Sequence, residues 1–314
     1  MHEEQDELTG GSGVRLAVRS AGAVDAPPIV LLHGWAQSGA AFAHQLAGPL
    51  AERFRLVAPD LRGHGDSAVP ADGYDSSAEW AADVRAVLDC AGRPAVLLGW
   101  SYGGLVVTDY LREFGTADLA GIVLVGAATE LGRGHPGGRV GPAMRAALPA
   151  ALSEDEQVAG AALAAFVTGM AGTAHAGLAS RPNSVTEALV EEALRVPAFV
   201  RAALFRREVT SADVLAKIDV PTLIVQGSAD AVVEPSAARF AEETIPGARL
   251  HLMTGVGHLP FLERTAEFDA LLGSFADECF AAQRNAQRSA QPNAQPNAQR
   301  NAQHSAGHRA GGVR

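Results

Sequence analysis

Cysteine is scarce in this chain. Of 314 residues only Cys90 and Cys279 are cysteines, far apart and without a C-x-x-C pair or histidines at metal spacing, so neither a disulfide framework nor a zinc site is implied. Lysine is scarcer still, with Lys217 alone among 25 basic residues, a bias that reads as base composition and carries no functional weight. Long apolar runs are missing as well. The least polar stretch, residues 158–172, is mostly Ala and Gly and follows Glu154, Asp155 and Glu156, so it is too short and small-sided to span a bilayer. The opening residues 1–7 are acidic where a secretory signal is basic and then apolar, so the expected setting is the cytoplasm, with no membrane partner. The formal charge is −10, and residues 283–314 hold five arginines and no acid, so the remainder is more negative still. Such a body repels phosphate backbones, and no nucleic-acid partner is expected.

What is present is globular text, 47% apolar and 19% charged with 34 glycines and 17 prolines, enough for a sizeable core. Residues 283–314 are dominated by a polar four-residue repeat without Leu, Ile or Phe, so burial cannot offset ordering entropy and a disordered tail is expected. Residues 1–12 are expected to be a flexible N-terminus. Between them, short Val, Ile and Leu runs alternate with amphipathic segments, the pattern of an α/β fold with a doubly wound, mostly parallel sheet. Strands are predicted at residues 14–20, 29–33, 55–59, 95–99, 121–126, 222–227 and 250–254, and helices at 38–50, 76–90, 102–114, 236–244 and 260–280. The rhythm breaks over residues 130–212, where Ala-rich helical text shows no strand. This predicts a helical lid inserted into a core made of residues 13–129 and 213–282.

Gly99-Trp100-Ser101-Tyr102-Gly103 stands directly after an apolar run and directly before an amphipathic one. A serine on so sharp a strand-to-helix turn takes strained backbone angles, and the positions two before and two after must be nearly free of side chain, as Gly99 and Gly103 are. The turn also puts Ser101 at the positive end of a helix, where an oxyanion is favoured. A plain glycine turn is the blander reading, and a dinucleotide fingerprint is rejected because the G-x-G-x-x-G spacing is absent. Leu31-Leu32-His33-Gly34-Trp35 ends an earlier strand, and the turn at Gly34 is followed by a free backbone N–H suited to a second oxyanion donor. His33 precedes that glycine and reads as structural. His64, within Arg62-Gly63-His64-Gly65-Asp66-Ser67, reads as part of a tight surface loop. Asp230 follows the strand at 222–227 and His258 the strand at 250–254. Alone, one is a helix cap and the other a loop histidine. In a doubly wound sheet, however, chemistry gathers at the carboxyl ends of strands, and Ser, Asp and His fall there in that order. Glu130, after the strand at 121–126, is the competing acid.

On these residues the chain resembles the α/β-hydrolase superfamily over about residues 13–280, in particular its lidded, esterase-like branch. His33-Gly34-Trp35 with Gly99-Trp100-Ser101-Tyr102-Gly103-Gly104 is most similar to the carboxylesterases that demethylate a pimeloyl carrier-protein ester. The resemblance implies Ser101 as nucleophile, His258 as general base, Asp230 as its orienter and the backbone N–H groups of Trp35 and Tyr102 as oxyanion hole. It further implies that the indoles of Trp35 and Trp100 wall the substrate pocket, and that no metal or organic cofactor is needed. The expected activity is cleavage of a small to medium, mainly uncharged carboxylic ester through an acyl-enzyme, the ester being the only partner implied. Alternatives are a cofactor-free haloperoxidase or perhydrolase, a carbon-carbon hydrolase on the same triad, and, from another class, a non-catalytic ligand receptor. Residues 130–212 carry eight arginines and eight acids, so an anionic substrate gains no general steering. The adjacent Arg206 and Arg207 read as a solvated helix end in preference to a phosphate or carrier-protein dock.

Overall fold

The computed structural model describes residues 4–172 and 185–290. Its strands are β1 (Glu4–Thr9), β2 (Arg15–Ala21), β3 (Pro28–Leu32), β4 (Arg55–Pro59), β5 (Ala95–Trp100), β6 (Leu119–Val125), β7 (Thr222–Gly227) and β8 (Arg249–Met253). They form one sheet in the order β1-β2-β4-β3-β5-β6-β7-β8. β3 to β8 are parallel, while β1 pairs antiparallel with β2 and β2 with β4. Every residue of β5, β6 and β7 is buried, as continuous Val, Leu and Ile text demands of strands covered on both faces.

Helices α1 (Ala43–Leu46), α2 (Ser77–Ala91), α3 (Gly103–Phe114), α4 (Pro142–Ala151), α5 (Glu156–Thr168), α6 (Val185–Arg195), α7 (Ala198–Leu204), α8 (Ala212–Leu215), α9 (Pro235–Thr244), α10 (Pro260–Glu263) and α11 (Thr265–Ala290) cover and extend that sheet. α2 and α3 pack on each other over β3, β4 and β5, α9 lies against β7 and β8, and α11 packs on β6 and α1. α2 starts with a serine N-cap: Ser76 Oγ accepts from Glu79 N at 3.3 Å, and Gly92, at φ 99°, closes the other end. Between β6 and β7 the described residues form α4 to α8, with isolated bridges Leu131↔Val209 and Val140↔Val233 tying this insertion to itself and to the core. Among the described residues no helix is long and apolar enough to cross a membrane.

The structure differs from the sequence expectations at four places. Residues 4–9, expected in a flexible N-terminus, form the edge strand β1, in register from Glu4↔Ser20 to Thr9↔Arg15. Its side chains are nearly all exposed, so no hydrophobic alternation marks it, and its acids suit an edge that must not pair further. The single helix expected at 38–50 is instead α1 between two 3-10 turns, because Gly39 and the pair Gly48-Pro49 interrupt it. The helix expected at 260–280 is two, α10 and α11, parted at Arg264, whose backbone is non-helical (φ −137°, ψ 51°). The tail expected from residue 283 begins as helix: α11 runs to Ala290, since Ala, Gln and Arg propagate a helix that is already nucleated, and Gln283 Nε2 donates to Leu119 O at 3.2 Å. Residues 291–314 lie outside the described residues.

Candidate active site

The chain winds from β3 outward to β4 on one side and from β5 to β6 on the other, so a crevice opens between the carboxyl ends of β3 and β5. Ser101 stands there, in the left-handed region at φ 55°. A non-glycine residue keeps such a conformation only when its surroundings over-determine it. They do: the Ser101 N–H donates to Val125 O at 3.0 Å, and its carbonyl accepts from Gly104 N and Ala128 N at 3.0 and 3.1 Å. A Cβ on Gly103 would stand 2.5 Å from Leu32 O, and one on Gly34 would stand 2.9 Å from Ser101 Cβ, so only glycine lets β3, Ser101 and α3 approach this closely. Tyr102 follows Ser101 in the chain and Trp35 follows Gly34, the glycine that adjoins the Ser101 side chain, and among the described residues neither N–H has a backbone acceptor.

The next strands bring Asp230 and His258 to the same rim. His258 Nδ1 lies 2.8 Å from Asp230 Oδ2, and because a carboxylate only accepts, Nδ1 carries the proton and Nε2 the lone pair. Asp230 is itself held on every side: Oδ1 accepts from Val232 N and Val233 N at 2.8 and 3.0 Å, and Oδ2 also accepts from Gln226 Nε2 at 3.0 Å. Gly126, one residue after the Val125 that binds Ser101, would carry a Cβ 3.1 Å from both Asp230 Oδ2 and His258 Nδ1, so the pair adjoins the end of β6, the strand next to the one that carries the serine. Glu130, the competing acid, is turned elsewhere. Its carboxylate accepts from Gly137 N at 3.0 Å and Ser211 N at 3.1 Å, pinning the two roots of the insertion.

His33 and His64 are neutral core members. His33 Nε2 accepts from Leu61 N at 2.9 Å while Nδ1 donates to Gly34 O at 2.8 Å, and burial pushes its pKa down to about 4. His64, its ring centroid 5.1 Å from that of His33, donates from Nδ1 to Arg62 O, and burial with the neighbouring imidazole pushes it down to about 3. The tight loop is therefore packed inward, not at the surface.

Two pocket expectations change. Trp100, expected at the pocket wall, is 0% exposed: it packs on Phe42, Phe261 and the His258 ring, and its Nε1 donates to His258 O at 3.0 Å. It is a prop beneath the histidine, because a side chain on a central strand enters the layer between sheet and helices. Trp35 meets the insertion instead. Phe166 and Phe205 contact its ring edge to face at 5.5 and 5.3 Å, and its Nε1 donates to Arg201 O at 3.2 Å. Arg207, expected at a solvated helix end, is buried and bidentate on Asp109 of α3 at 2.7 and 2.8 Å, and it donates to the Tyr102 hydroxyl at 3.2 Å. Burial opposes its charge, but its contacts with Tyr102 and Asp109 more than offset this and hold the guanidinium above its ordinary range. Arg206 remains exposed.

Several supporting residues carry no local signal in the sequence. Gln226 and Glu263 are buried polar residues on apolar elements, and Ala36, at φ 54°, turns the loop after Trp35 although nothing in its type suggests a positive φ. Only an excess of acid or amide in otherwise buried text could have pointed to the first two.

The model of the alpha/beta hydrolase family matches residues 29–271. A pimeloyl-[acyl-carrier protein] methyl ester esterase of Stenotrophomonas maltophilia is 31% identical over 252 residues, covering 79% of this chain and 92% of that one. A non-heme chloroperoxidase of Kitasatospora aureofaciens is 30% identical, covering 74% and 84%. Among solved structures, an esterase from Rhodococcus sp. ECU1013 superposes with a TM-score of 0.82 at 44% identity, covering 87% of this chain and 98% of that one. With the matched model spanning most of the chain and the Ser101 turn, Asp230 and His258 at the carboxyl ends of β5, β7 and β8, this protein is an enzyme of the alpha/beta hydrolase family.

Proposed function

We propose that the protein hydrolyses small to medium, mainly uncharged carboxylic esters through an acyl-enzyme intermediate. His258 Nε2 takes the hydroxyl proton as Ser101 Oγ attacks the ester carbonyl. The charge that develops on the carbonyl oxygen is met by the N–H groups of Trp35 and Tyr102, the alcohol leaves with the proton, and water repeats the attack. Asp230 fixes the tautomer that leaves Nε2 basic. The observation that carries this reading is the buried Asp230–His258 pair, bonded through Nδ1, at the same end of the sheet as a serine held at positive φ on the turn before α3. The esterase names of the relatives agree with it.

An uncharged acyl group is favoured because Arg207 is spent on Asp109, leaving Arg206 without the second cation that a carrier-protein dock would use, and because the rings around Trp35 are aromatic. The insertion, whose contacts reach Trp35, Tyr102 and His258, serves as a lid in this reading. Labelling with a fluorophosphonate probe, with Ser101→Ala as the control, tests the nucleophile. Measuring kcat/KM across neutral esters of increasing acyl length, beside a carboxylate-bearing and a carrier-bound ester, tests the substrate class. A preference for the carrier-bound ester would overturn the neutral-ester reading, and absence of labelling would favour a receptor. A second reading, perhydrolysis on the same residues, draws on the 30% identity to the chloroperoxidase, and is tested by peroxide-dependent bromination in acetate.

A further inference from the structure

The loop bearing His258 leaves β8 at Met253 and is held in place by groups from two distant segments and from the end of the short helix that follows it. Its own N–H donates to Met170 O of the insertion at 2.6 Å, and its carbonyl accepts from Trp100 Nε1 at 3.0 Å. On either side of it, Gly257 N donates to Glu263 Oε1 and Oε2 at 3.0 and 3.1 Å, and Leu259 N donates to Oε1 at 3.2 Å. The same carboxylate accepts from Gly172 N, in the insertion, at 2.9 Å. Glu263 is only 4% exposed and ends α10, which Gln45 Nε2 ties down through Phe261 O at 3.0 Å. The backbones it joins are in direct contact: a Cβ on Gly172 would stand 2.5 Å from Gly257 N.

We infer that Glu263 is a positioning residue for His258, gripping the backbone on both sides of the imidazole and coupling its alignment to the seating of residues 170–172 of the insertion. The inference rests on the reading of His258 as general base. Only a carboxylate offers two oxygens, each with two acceptor directions, to N–H groups from three residues. A glutamine in its place keeps one oxygen for Gly257 and Leu259 but turns an amide N–H₂ toward the Gly172 N–H, which detaches the insertion while leaving the histidine loop gripped. The two contacts are thereby separable.

Glu263→Ala and Glu263→Gln, compared with wild type for the rate of fluorophosphonate labelling and for kcat and KM on one neutral ester, test this at temperatures where circular dichroism shows both variants folded. Expected for alanine is a fall in kcat and labelling rate on the order of 10²-fold, with KM changed less than about threefold, the size that a misplacement of about 1 Å produces. Glutamine should recover about tenfold of that loss. If the alanine variant does not fold, a kcat loss of about tenfold in glutamine at unchanged KM carries the inference. Folded variants that label and turn over within about threefold of wild type overturn it, as does a loss that tracks the unfolded fraction and vanishes on cooling. Wild-type protein that neither labels nor cleaves any ester overturns the hydrolytic reading and the inference together, a result distinct from labelled wild type with equally reactive variants.

Discussion

The turn at Ser101 and the loop at His258 are built by opposite means. Ser101 is positioned by backbone of the core alone: a rung to Val125, a carbonyl shared by Gly104 and Ala128, and glycines where strand and helix meet. His258 is positioned largely by side chains and by the insertion: Asp230 on its ring, Trp100 and Met170 on its backbone, and Glu263, five residues on, on its neighbours. The first rests on backbone packed within the core, the second on side chains and on one backbone contact from the insertion. The geometry of the Ser101 turn should therefore survive perturbation of the insertion better than that of the His258 loop does.

Removing either side chain outright should have the largest effect. Ser101→Ala and His258→Ala are each expected to lower kcat by on the order of 10³ or more, with the double variant little worse than either, because the two act as a unit. Additive losses would show that they do not. Asp230→Asn should be comparably severe, since it disturbs the tautomer, whereas Glu130→Gln should cost stability and little activity, since Glu130 serves Gly137 and Ser211. The reverse ranking would name Glu130 as the acid.

The insertion's grip on the serine side is tested by its buried ion pair. Arg207→Met leaves Asp109 buried without its partner and should cost about 3–5 kcal/mol, lowering Tm by on the order of 10 °C, while Arg207→Met with Asp109→Leu should recover most of that. Labelling of Ser101 in the double variant near the wild-type rate is the expected outcome. A large loss there would make the Ser101 turn as dependent on the insertion as the His258 loop.

Smaller effects concern the core beneath the site. His33 and His64 have folded pKa values of about 4 and about 3, below the ordinary 6.5, so the unfolded chain binds more protons and stability falls as pH drops from 6.5 toward 4. Each should account for about 2 kcal/mol of the loss between pH 7 and pH 5, and urea midpoints should fall less steeply over that interval in His64→Gln than in wild type. Equal slopes would contradict neutral burial. Smallest of all, a chain ended after Ala290 should match the full chain in Tm and activity, while one ended after Ala282 should lose a few degrees with the Gln283 contact and the last turns of α11. Equal Tm values for the two shortened chains would show that these turns add nothing.

Much of this was legible in advance because the relevant physics is local. Strands buried on both faces announce themselves as unbroken apolar text, as at 95–98 and 222–225, and the Ser101 turn as glycines at fixed offsets. β1 was not legible, since an edge strand exposed on both faces has no period to read. Trp100 was misplaced for a related reason: a residue's type says that it is large and apolar, not which side of the sheet it enters. Arg207 looked like a surface cation because burial of a charge depends on a partner nearly a hundred residues away in sequence.

The sequence by itself determined the α/β framework, the strained turn at Ser101 and the order of serine, aspartate and histidine on strand ends, all set by hydrophobic period and by where only glycine fits. Tertiary structure alone decided which acid meets His258, which tryptophan faces the insertion, and that Glu263 joins the histidine loop to residues 170–172. Those outcomes depend on which side chains reach a common point in space, and contacts such as His258–Asp230 and Glu263–Gly172, between residues distant in sequence, leave no local pattern from which to read them.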